Sequence, residues 1–190
     1  MIGGADATPG EWPWQAKLET KKWGFTCGGS LITPTWVMTA AHCISDNDPS
    51  VYSVTLGDLN RKKKDGTEQK FSVKRVVVHP DYNSPFPVNN DIALIELTRP
   101  VIKTPFVNTV CLPRESEVVS PGTKCYISGL LKNVIIFVIS LSKNAIVLFA
   151  KDTKQNLITD VVVIVLRLGT DKSSWDISHS FAASCFTCCI

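Results

Sequence analysis

From residue 14 to residue 97 the chain is interrupted at short intervals by turn signals: Gly28-Gly29, Thr33-Pro34, Asp48-Pro49, Asp65-Gly66 and His79-Pro80. Between them lie short runs of alternating or β-branched residues. That spacing predicts an all-β barrel or sandwich. The predicted strands cover residues 15–18, 29–32, 36–39, 53–56, 69–78 and 92–97. Six strands can close a small antiparallel barrel, which is the fold expected for the N-terminal half. A chain of 190 residues holds one ordinary core, so a single domain is expected.

Residues 100–120 read as an extended connector of the kind that straps two domains. Pro100, Pro105 and Pro113 are spread along it, with Pro121 just after its end, and it has no sustained apolar period. A further strand is expected from Thr123 through Lys124-Cys125-Tyr126-Ile127-Ser128-Gly129. After Gly129 the character changes. Residues 133–150 and 157–168 are rich in Ile, Val and Leu, and Gly169 is the only later glycine. This tail, residues 130–190, is read as two or three apolar strands or helices ending in cysteines. Residues 134–150 form the only stretch apolar enough to consider for a membrane. A span needs about 20 largely apolar residues. Lys143 interrupts this one at a cost of about 2.5 to 3.5 kcal/mol, so no span is expected.

The net charge of +3 comes from 20 basic against 17 acidic residues, too mild a bias for a nucleic-acid partner. The run Arg61-Lys62-Lys63-Lys64 reads as a solvated loop. Seven cysteines are more than a cytosolic domain of this size usually carries, which places the chain in an oxidising compartment. Met1-Ile2-Gly3-Gly4 has neither a basic nor an apolar leader region, so a signal peptide and propeptide are expected to lie outside this sequence.

The most specific words are Cys27-Gly28-Gly29-Ser30-Leu31-Ile32 and Trp36-Val37-Met38-Thr39-Ala40-Ala41-His42-Cys43. A general base needs one imidazole nitrogen aimed at a nucleophile and the other at an orienting group, and a neighbouring cysteine offers a way to fix its backbone. Further on, Asn89-Asn90-Asp91-Ile92-Ala93-Leu94-Ile95-Glu96-Leu97 sets an aspartate 49 residues after His42. The Thr-Ala-Ala-His-Cys word, the later aspartate, Ile2-Gly3-Gly4 and Trp12-Pro13-Trp14-Gln15 together resemble the chymotrypsin-fold (trypsin-like) serine protease family. The resemblance continues through Val110-Cys111-Leu112-Pro113 and Gly122-Thr123-Lys124-Cys125, and covers residues 2–129 as a partial domain.

This resemblance implies a secreted serine-type endopeptidase acting on protein or peptide substrates and met by protein inhibitors. His42 would be the general base and Asp91 its orienter. Cys27 and Cys43 would be bonded, closing a loop of about 15 residues worth roughly 3 kcal/mol. No cofactor is required, but the loop after Gly57 is similar to the family's calcium loop. Asp58, Asp65 and Glu68 would be its carboxylate donors, with the carbonyls of Asn60 and Lys63 completing the set. His79 is read as a structural turn residue.

The pattern fails after Gly129, where Leu130-Leu131 replace the usual Trp-Gly pair and the second barrel is incomplete or replaced. The family nucleophile sits in Gly-Asp-Ser-Gly-Gly, whose N–H groups also form the oxyanion hole. Ser128, Ser140, Ser142, Ser173, Ser174, Ser178, Ser180 and Ser184 all lack that setting, so the chain is expected to be inactive as written. The alternative is a pseudoprotease serving as a protein-binding module. The family partners of Cys111 and Cys125 are also missing. Cys185, Cys188 and Cys189 have a C-x-x-C spacing with only His179 nearby, and zinc is not expected there.

Overall fold

The computed structural model describes residues 6–87, 89–112, 128–130, 134–142 and 145–152. Most of the strand expected from Thr123, Cys125, and the whole terminal group of His179, Cys185, Cys188 and Cys189 lie outside the described residues.

Six strands form a closed antiparallel barrel: β1 (Gln15–Thr20), β2 (Gly24–Thr33), β3 (Trp36–Thr39), β4 (Tyr52–Leu56), β5 (Gln69–Val78) and β6 (Ala93–Leu97). Their order around the barrel is β1-β2-β3-β6-β5-β4. Closure leaves no free sheet edge and gives every second residue an inward position. In β1 the buried set is Ala16, Leu18 and Thr20, and in β6 it is Ala93, Ile95 and Leu97. These meet Leu31, Val37, Val54, Leu56 and Phe71 in one core.

The predicted strands therefore stand, with one correction. Gly28-Gly29 is not a turn but lies inside β2, and the chain reverses earlier, before Gly24 at φ +71°. The glycine pair serves close approach. A Cβ on Gly29 would stand 2.8 Å from the Met38 carbonyl and 2.9 Å from Val37 Cγ1, so only glycine lets β2 lie this near β3.

The described part of the connector, residues 100–112, forms no helix or named strand and packs on the barrel. Val101 N–H donates to the Pro34 carbonyl, Asn108 N–H to Pro13 and Val110 N–H to Leu31. Val101, Val107 and Val110 are buried. Ser128 is described outside any strand, and its hydroxyl hydrogen-bonds Gln15 Oε1 at 3.0 Å. In the tail, β7 (Val134–Ser142) and β8 (Ala145–Asp152) pair antiparallel, with Phe137 opposite Phe149. The described residues of the apolar stretch 134–150 thus form a pair of strands. Among the described residues no helix is long and apolar enough to cross a membrane.

Candidate active site

His42 and Asp91 are brought together by the β3–β6 pairing. Thr39, the last residue of β3, stands opposite Ala93, the first of β6. The residues just after one strand and just before the other must then be neighbours. His42 follows β3 in a single 3-10 turn, Ala41–Cys43, and Asp91 precedes β6 by two positions.

Two interactions fix the pair. Asp91 Oδ1 accepts the His42 backbone N–H at 2.7 Å, and Oδ2 lies 2.5 Å from His42 Nδ1. A carboxylate has only acceptors, so the Nδ1 nitrogen carries the proton, and in the neutral imidazole Nε2 holds the free lone pair. The Asp91 side chain is fully buried while that of His42 is 36% exposed, so the imidazole's outer edge remains reachable. Cys43 Sγ lies 3.5 Å from Nε2. The Cys27–Cys43 disulfide joins β2 to the 3-10 turn and holds the backbone on which His42 rides. His42 and these two sulfurs lie close enough to resemble a metal site, but both thiols are consumed in the bond.

The loop before Asp91 is laced from within. Asn90 takes φ +54°, a left-handed conformation that asparagine tolerates better than most residues. Its Nδ2 donates to the carbonyls of Asp81 and Ser84 at 2.9 and 3.0 Å. The His79 backbone N–H donates to Ile92 O, and His79 Nδ1 accepts the Asp81 N–H, which gives that histidine a turn-closing contact. Burial raises the Tyr82 phenol above its ordinary range, and the negative charge of Asp91 adds to the shift. Tyr82 and Asn90 escaped the sequence reading. Tyr82 carried no signal, whereas Asn90 stood in the Asn-Asn-Asp word.

A second cluster sits in the loop between β4 and β5. Ligating atoms of Asp58, Asp65 and Glu68 all lie within 4.8 Å of one another. Gly57, at φ +73°, starts the loop with its carbonyl accepting the Thr67 hydroxyl at 2.7 Å. Asp65 Oδ2 accepts the N–H groups of Leu59 and Asn60. Glu68 accepts those of Asp65 and Gly66, and the Asp65 bond leads the effects that hold its carboxyl below the usual range. Asp58 Oδ1 is buried without a hydrogen-bond partner. Three hard oxygen donors with one unsatisfied lone-pair face fit a calcium ion. The Asn60 carbonyl accepts the Lys63 N–H in a turn, and the structure brings together the three expected carboxylates. Sequence reasoning missed Lys17, which reaches Asp58 Oδ2 at 2.5 Å from β1. Its outward alternation with Gln15 and Glu19 was the available signal.

Comparison with known proteins bears on the same half of the chain. A family model described as Trypsin matches residues 1–133. Chymotrypsin-like elastase family member 1 of Macaca fascicularis is 41% identical over 137 residues, covering 68% of this chain and 49% of the relative. The Rattus norvegicus protein of that name gives the same values. Serine protease 28 of Mus musculus is 37% identical over 136 residues, covering 68% of this chain and 48% of the relative. The chain spans about half the length of the curated relatives it matches.

Proposed function

Because the chain belongs to the trypsin family of serine proteases, we propose that it carries the general-base half of a serine endopeptidase active site. His42 is the base and Asp91 its orienter. The observation that carries this is the double grip of Asp91 on His42, one oxygen on the backbone N–H and one on Nδ1. In acyl transfer the base must accept a proton at Nε2, and a buried carboxylate at Nδ1 both selects that tautomer and stabilises the imidazolium that forms. The substrates are proteins or peptides, and the compartment is extracellular, a reading supported by the Cys27–Cys43 disulfide.

As written, the 190 residues supply no serine in a Gly-Asp-Ser-Gly-Gly setting, so this chain does not turn over by itself. Without nucleophile and oxyanion hole, the base has nothing to activate. The loop carboxylates Asp58, Asp65 and Glu68 would hold a structural calcium, which would tie the β4–β5 loop to the barrel and take no part in bond cleavage.

The test joins residues 1–129 to the second barrel of a family protease and follows hydrolysis of a mixed peptide library. The expected result is turnover that disappears with His42→Ala. A folded chimera whose turnover is indifferent to His42, or absent, would remove the catalytic reading and leave that of a protein-binding module.

A further inference from the structure

Resting on the calcium reading of the β4–β5 loop, we infer that Lys17 is a tethered counter-ion for this cluster, making the barrel largely independent of divalent cations. The Lys17 ammonium lies 2.5 Å from Asp58 Oδ2 and 3.6 Å from Glu19 Oε1. Both ends of the Lys17–Asp58 pair are withdrawn from water, with side-chain exposures of 12% and 5%. A lysine in so shielded a place is held by its charge partners, since its desolvation would otherwise be uncompensated.

The other two carboxylates are committed to the loop's own backbone. Asp65 holds the N–H groups of Leu59 and Asn60, and Glu68 those of Asp65 and Gly66. Ligating atoms of the three acidic groups lie within 4.8 Å of one another, and Lys17 pairs with the Asp58 member of the group. A divalent ion seated on the free Asp58 Oδ1 would stand beside that ammonium, and like charges at such range oppose each other. Lys17 therefore supplies part of what calcium would supply, and it weakens calcium at the same place.

The experiment compares the full chain with Lys17→Met, which keeps the apolar stem, and Lys17→Arg, which keeps the charge. Thermal unfolding is followed by circular dichroism in EDTA and in millimolar calcium, with calcium affinity measured by calorimetry. The original chain and Lys17→Arg are expected to shift by no more than about 2 °C between the two conditions. Lys17→Met is expected to lose several degrees in EDTA, regain them in calcium, and bind calcium at least tenfold tighter. A Lys17→Met chain that folds only with calcium gives the same answer in stronger form. Equal calcium responses in all three chains overturn the role of Lys17 and leave the calcium reading intact. No calcium binding by any of them overturns both, and a Lys17→Met chain that folds in neither condition overturns the role of Lys17 as a counter-ion that calcium can replace.

Discussion

Replacing both Cys27 and Cys43 by alanine removes the bond that joins β2 to the turn carrying His42. The two cysteines are 16 positions apart, so the closed loop constrains the unfolded chain by about 3 kcal/mol on the chain-entropy account. Both cysteines are only 2% exposed, so two small voids add to the loss. For a barrel of this size about 1 kcal/mol moves the midpoint by roughly 4 to 8 °C, and the expected drop is therefore about 12 to 24 °C. Thermal unfolding of the double variant against the parent, both followed by circular dichroism without reductant, measures it. The same change frees the His42 backbone, so the Nδ1–Asp91 proton seen by imidazole NMR is expected to exchange faster. A midpoint lowered by less than about 4 °C would mean that the loop is ordered without its covalent closure and that the bond does not carry this stability.

Asp91→Asn keeps the shape of the buried side chain but presents an amide N–H₂ among donors, so stability is expected to fall by about 1 to 3 kcal/mol in urea titrations. The same variant is expected to shift neutral His42 toward the Nε2–H tautomer, read from its ¹⁵N imidazole resonances. Gly57→Ala meets both a positive φ and a contact 2.5 Å from the Thr67 carbonyl, and is expected to cost about 2 kcal/mol or more, measured by chemical denaturation. Glu68 has its folded pKa held below the ordinary 4.5, so the stability it lends is full above that pH and is lost as pH falls through the lower folded value. The stability gap between the parent and Glu68→Gln is accordingly expected to shrink as pH falls below about 4.5, followed by pH-dependent urea unfolding.

Part of the barrel was legible because inward and outward residues alternate along β1 and β6. Ala16 and Leu18, or Ile95 and Leu97, declare a face without help from distant sequence. What misled was Gly28-Gly29, where glycine signals turns by composition but here meets a demand for close strand packing that only the β2–β3 contact reveals. The burial of Val101, Val107 and Val110 was hidden for a related reason. They lie in a strap whose backbone bonds go to Pro34, Thr104 and Leu31, so no period marks them. His42 and Asp91 could be named from their words, but their mutual geometry depends on the Thr39–Ala93 register. Lys17 and Asp58 are 41 positions apart and meet only once β1 and β4 pair, beyond the reach of local pattern.

That this chain holds a base and its orienter without a nucleophile can be checked by treating the purified full chain with a fluorophosphonate that labels activated serines. No His42-dependent labelling and no peptide hydrolysis are expected. Stoichiometric labelling of any serine that vanishes with His42→Ala would contradict it, since His42 would then be activating a nucleophile within these 190 residues.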